Sequence, residues 1–188
     1  MKTYIDKLHD IYSKFIDVNN KKDLIVTTPR RAGKTTLLRN VMAYLLDQEV
    51  NSKNDILFAA PQRHYQILTF RPNTTSNSIK ELEPQYILVE EAAYCKFEVL
   101  ETLDICKQNS NYIKTLYIGT PTSVKYTLTK DGKYLADNYL KRLIDEKEIE
   151  YIQLGFKDYP KEFQDFLITE KDSYTREQWR QEFLGEWI

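Results

Sequence analysis

The chain has 188 residues, of which 27 are Lys or Arg and 28 are Asp or Glu, for a formal net charge of -1. With 41% hydrophobic, 29% charged and 13% aromatic residues, the composition is that of a globular protein with a sizeable core and excludes a fibrous or disordered chain. No overall basic field marks the chain for nucleic acid, although its lysines and arginines can still form a local groove. Cys95 and Cys106 show neither metal-type spacing nor a disulfide framework, which points to a reducing compartment. The N-terminal MKTYIDKLHD lacks the apolar stretch of a signal peptide, and no apolar run is long enough to span a bilayer. The expectation is a cytoplasmic protein without a membrane partner.

In chain order, Leu8, Ile11, Tyr12, Phe15 and Ile16 recur at helical spacing and predict a short amphipathic helix before a polar turn at residues 19–22. The β-branched run from Asp23 to Thr28 predicts a buried strand. After Gly33, the pattern Leu37, Leu38, Val41, Met42, Leu45 and Leu46 predicts a strong helix. Residues 55–61 read as a second buried strand and 66–70 as a weaker third. QYILVEEAAY (85–94) reads as a further strand that ends in two carboxylates. A helix over 97–106 and a strand over 115–119 follow. Leu135, Ala136, Tyr139, Leu140, Leu143 and Ile144 predict another helix, and 150–154 a last strand. The tail from Tyr174 to Trp187 reads as helical, with Trp179, Phe183 and Trp187 at one-face spacing that would pack a closing helix onto the sheet. Strands alternating with helices imply one α/β domain with a mostly parallel central sheet flanked by helices. Its expected parts are an N-terminal helix (1–22), a core (23–154) and a helical closing segment (155–188).

The stretch TPRRAGKTT (Thr28 to Thr36) lies between a predicted strand and a predicted helix. In that context Gly-Lys-Thr is a phosphate-binding loop: successive backbone N–H groups and a helix N-terminus converge on an anion. Lys34 would reach the terminal phosphates of ATP, Thr35 would hold Mg²⁺, and Gly33 allows close backbone approach. Thr28 stands where the general motif has glycine. The nucleotide-contacting set is therefore Thr28, Pro29, Arg30, Arg31, Ala32, Gly33, Lys34, Thr35 and Thr36. Glu90 and Glu91 follow an apolar run at the end of a strand, the edge where open α/β sheets bind ligands. Glu90 is assigned to the metal and Glu91 to the attacking water.

Together these residues resemble the ATPase domain of phage large terminases, the DNA-packaging motors of tailed viruses. TPRRAGKTT is similar to that family's variant phosphate loop, which commonly loses the leading glycine and carries an arginine. QYILVEEAAY resembles its acidic strand motif, TLYIGTPTS its coupling motif, and SYTREQWRQEFLGEW the stretch that closes its ATPase region, with Gln181, Glu182, Gly185 and Glu186 matching. The resemblance runs from about residue 24 to the end of the chain. It implies a P-loop NTPase of the additional-strand, RecA-like type, using ATP and Mg²⁺ to translocate double-stranded DNA without base readout. It implies a portal and procapsid as partners, a homo-oligomeric ring as the working state with a monomer in isolation, and the host cytoplasm as the location.

By the same resemblance, Arg30 would meet the γ-phosphate, and Thr120, with Thr122 as a second candidate, would report its loss. Arg31 has no clear counterpart. A neighbouring subunit would supply an arginine in trans, with Arg63, Arg71 and Arg142 as candidates among which the sequence does not choose. Lys125, Lys130 and Lys133 either face a DNA backbone or form a solvated surface. His9 and His64 stand alone. Three departures stand out: Glu90 replaces the usual aspartate, the span from Pro61 to Gln85 is short, and the expected nuclease domain does not follow within these residues. Two other readings remain open: another DNA-dependent ATPase, such as a helicase or AAA-type factor, and a nucleotide-gated assembly module with little turnover.

Overall fold

The computed structural model describes residues 4–17, 19–47, 56–60, 66–69, 83–95, 97–110, 112–147 and 149–188. Six strands form one sheet in the order β3-β2-β4-β5-β1-β8. These are β1 (Leu24–Thr27), β2 (Ile56–Ala60), β3 (Gln66–Thr69), β4 (Tyr86–Glu90), β5 (Lys114–Gly119) and β8 (Glu150–Gln153). All neighbours pair in parallel except β3, which runs antiparallel to β2 at the edge. A separate hairpin joins β6 (Tyr126–Leu128) to β7 (Tyr134–Ala136).

Strand residues alternate between two apolar layers, as a sheet covered on both faces requires. Leu24, Val26, Leu116 and Ile118 pack with Ile11 and Phe15 of α1 (Tyr4–Ile16) and with Leu37, Leu38, Val41 and Leu45 of α2 (Lys34–Asp47). Ile25, Ile87, Val89 and Tyr117 point the other way, onto Leu100 and Leu103 of α3 (Phe97–Cys106) and Leu140 of α4 (Tyr139–Asp145). A third cluster of Leu167, Trp179 and Phe183 holds α5 (Lys161–Glu170) against α6 (Arg176–Glu182). Lys114 is fully buried in β5 and donates to the carbonyls of Lys14 and Asp17, at and just past the C-terminal turn of α1. Burial pulls its ammonium below the ordinary lysine range.

Two expectations are corrected. Leu135 and Ala136 do not begin a helix; they lie in β7, paired with Thr127 and Tyr126. The helix starts at Tyr139 because Asn138, in extended backbone, accepts the Lys141 N–H and caps it. The tail is helical only over Arg176–Glu182, started by a reciprocal Thr175–Gln178 capping box. Trp179 and Phe183 stack on each other at 4.7 Å, while Trp187 lies beyond the helix and packs on the α3–α4 side of the sheet. Gly185, at φ 72°, turns the chain there. The result is a mostly parallel sheet flanked by helices on both faces, with the loop between β1 and α2 at its carboxyl edge.

Candidate active site

The sheet order brings three strand ends together. The register pairs Thr27 with Gly119 and Ile118 with Glu90, so the exits of β1, β5 and β4 lie side by side at the carboxyl edge. The loop leaves β1 through Thr28, whose N–H bonds the Gly119 carbonyl at 2.9 Å. Arg31 (φ 62°) and Gly33 (φ 74°) take the left-handed backbone that turns amides toward a common centre. Helix α2 begins at Lys34, so the N–H groups of Lys34, Thr35 and Thr36 open its first turn with no carbonyl of the helix to bond. The Tyr4 hydroxyl donates to the Ala32 carbonyl and steadies the crest of the loop.

Lys34 is 8% exposed, and its ammonium has three neighbours: the Thr120 hydroxyl at 2.9 Å, the Glu91 carboxylate at 3.3 Å and the Pro29 carbonyl at 3.4 Å. Glu91 follows β4 in left-handed backbone (φ 46°), a strained conformation for a residue with a side chain. Its second oxygen accepts the Thr120 N–H at 3.3 Å. A Cβ on Gly119 would lie 3.1 Å from the Ala92 nitrogen, so the missing side chain is what lets the Glu91 turn close over β5.

The Thr35 hydroxyl donates directly to the Glu90 carboxylate. The extra methylene of Glu90 is thus accommodated, since the side chain reaches the loop from the end of its strand. These are two hard oxygen donors in contact, a set that suits Mg²⁺ completed by phosphate oxygens and water. Among the described residues there is no cluster of three or more His, Cys, Asp or Glu, so any magnesium held here would depend on such further oxygens.

Arg30, Lys34, Glu91, Tyr94, Thr120 and Glu182 line a cleft of about 450 Å³ over the loop. Arg30 pairs with Glu182 at 2.8 Å, and this hydrogen-bonded partner raises its guanidinium pKa further. Burial, with Glu182 and Glu91 nearby, raises the Tyr94 phenol. Arg31 turns away to Glu170 at 3.0 Å. Thr122 takes the Asn138 side-chain amide at 3.3 Å and is not among the residues lining the cleft. Arg142 donates to the Ala136 carbonyl from α4. Arg63, Arg71 and His64 lie outside the described residues. His9 neighbours Ser13 at 3.3 Å, and Lys125, Lys130 and Lys133 are exposed on and around the β6–β7 hairpin.

Sequence reasoning missed Tyr4, Tyr94, Glu170 and Glu182. Tyr94 and Glu182 lie inside stretches already singled out, but nothing local ties an acid near the C-terminal end to an arginine 152 positions earlier.

No protein-family model matches the sequence, and none of the curated proteins does. Among solved structures, the chain is similar to the large terminase of the thermophilic bacteriophage D6E, with TM-score 0.67, 14% identity and 97% of this chain covered. The same protein in complex with ATP-γ-S gives 0.66, and in complex with ADP 0.67, each at 14% identity and 97% coverage of this chain. The chain spans about half the length of those structures, 52% to 53%. It therefore has the fold found in the phage large terminase.

Proposed function

We propose that the chain is an Mg²⁺-dependent ATP-hydrolysing motor domain that drives viral double-stranded DNA into a procapsid. The observation that carries the reading is the convergence at one sheet edge of Lys34, Glu91, Thr120 and the Thr35–Glu90 pair. A terminal phosphate in the cleft would draw Lys34 from Glu91, whose contact is long at 3.3 Å. The freed carboxylate then orients and deprotonates the attacking water. Arg30 faces the same phosphate from the cleft wall, and Thr120 exchanges its bond to Lys34 when the phosphate leaves. Magnesium at Thr35 and Glu90 would neutralise charge on the phosphate oxygens.

Packaging as the use of this energy is supported by the fold shared with the D6E large terminase, solved with ATP-γ-S and with ADP, and by the order of the loop, acid and Thr-Pro motifs. On this reading residues 1–188 act as one ATPase unit in a homo-oligomeric ring in the host cytoplasm. The ring holds DNA without base readout and engages the portal of the procapsid.

The test is phosphate release from MgATP at several protein concentrations, with and without double-stranded DNA. Turnover should rise with concentration and DNA. The Glu91→Ala variant should bind ATP-γ-S normally and hydrolyse ATP about 10²- to 10⁴-fold more slowly. Unchanged hydrolysis in that variant removes Glu91 from its role, and absence of turnover under every condition leaves only a nucleotide-gated assembly module.

A further inference from the structure

We propose that Glu182 limits the preference of the cleft for a triphosphate over a diphosphate, by competing with the terminal phosphate for Arg30. The inference rests on the nucleotide reading above. Glu182 ends α6, far along the chain from the loop, yet it holds Arg30 twice. Its carboxylate meets the guanidinium at 2.8 Å, and its carbonyl accepts the Arg30 N–H at 2.6 Å. The main-chain bond keeps the two segments together whatever the side chains do. The ion pair can separate, because the Arg30 side chain is 57% exposed against 20% for Glu182.

Both side chains line the cleft that Lys34 and Glu91 also line, so two cations and two acids face one volume. Arg31 and Glu170 make a similar pair at 3.0 Å but are not among the lining residues. A phosphate offers a guanidinium a fork of charged oxygens, at least the equal of a carboxylate. Glu182 also repels that phosphate directly. Both effects act on the group that reaches Arg30, so they weigh on the terminal phosphate and leave a diphosphate nearly untouched. Recapture of Arg30 by Glu182 would then weaken the hold on the released phosphate, the group that Arg30 had met.

The test is calorimetric titration of ATP-γ-S and ADP, each with MgCl₂, into the wild type, Glu182→Gln and Glu170→Gln. Glutamine keeps the size and the main-chain bond but removes the charge. Glu182→Gln should tighten ATP-γ-S about two- to fivefold, the range of a partly exposed ion pair, and leave ADP unchanged. Inhibition by inorganic phosphate should strengthen in parallel, and Glu170→Gln should shift neither nucleotide. Equal tightening of ADP, or unchanged or weaker ATP-γ-S binding, overturns the proposal.

The wild type gives an independent reading should the variant fold poorly. Both tryptophans, Trp179 and Trp187, flank Glu182. Their emission should respond to ATP-γ-S and not to ADP, and an identical response to both overturns the competition. If the wild type binds neither nucleotide, the site reading itself fails.

Discussion

Two lysines near opposite edges of the sheet are held in contrasting ways. Lys107, after α3, meets Asp23 at 2.9 Å, Asp104 at 2.8 Å and the Tyr117 hydroxyl at 2.7 Å. Burial alone would lower its ammonium pKa, but Tyr117, Asp23 and Tyr112 together raise it above the ordinary range. Asp23 in turn accepts the Tyr112 hydroxyl and the Thr115 N–H, which ties the start of β1 to β5. Lys34, at the carboxyl edge, has only a hydroxyl at normal distance and two longer contacts. One network is closed with short bonds and fixes the fold. The other has charge to spare toward a cleft, which suits a group that must change partners.

The sharpest way to separate the two edges is to remove each lysine in turn. Lys34→Met should slow hydrolysis about 10²- to 10³-fold, the scale of losing one positioned donor, while the melting temperature hardly moves. Lys107→Met should do the reverse. Leaving Asp23 without its cation should cost about 3 kcal/mol and lower the melting temperature by about 10 °C, with ATP-γ-S affinity of the folded chain unchanged. Calorimetry and phosphate release on both variants check the pair. A strong loss of affinity in Lys107→Met would erase the contrast.

Gly119→Ala probes the active edge more gently. The added methyl meets the Ala92 nitrogen at 3.1 Å and must displace the turn that carries Glu91. About tenfold slower turnover with unchanged ATP-γ-S affinity is expected, the cost of a misplaced catalytic group. The smallest effect concerns the opposite edge and acid. The Lys14 hydrogen bond, with Asn20 helping, holds the Glu150 carboxyl below its usual pKa. A depressed carboxylate contributes stability above its unfolded pKa of about 4.3 and loses it as pH falls through the lower folded value. Stability of the wild type should therefore fall more steeply below about pH 4.3 than that of Glu150→Gln, by up to about 1 kcal/mol for a pair this exposed. Denaturant midpoints between neutral pH and pH 3 measure it.

Much of this was legible in the sequence because its signals are local. The continuous apolar runs of Leu24–Thr27 and Tyr86–Val89 and the 3.6-residue pattern after Gly33 mark strands and helix within a few residues of chain. The Gly-Lys-Thr loop was singled out by its place between a strand and a helix, and Glu90 and Glu91 by their place at a strand end. Leu135 and Ala136 misled because apolar residues at 135, 136, 139 and 140 fit a helix as well as a hairpin followed by a capped helix. Asn138 was the signal that could have divided them. Lys114 gave no sign of its burial, since its reason is a pair of carbonyls at the end of α1. The grip of Glu182 and Glu170 on the two loop arginines was equally out of reach, because contacts across more than a hundred positions leave no periodic trace.

The placement of β1 has a consequence for amide exchange. It is hydrogen-bonded in parallel to β5 on one side and β8 on the other, and none of its residues is more than 1% exposed. Its amide protons belong with the slowest to exchange, released only by global unfolding, whereas α6 meets the loop through a few polar contacts and should open locally. The loop after β1 is thus moored to a fully buried strand and brushed by a yielding helix. Work done at the nucleotide would be felt first along α6, with the sheet as the fixed ground against which it pushes.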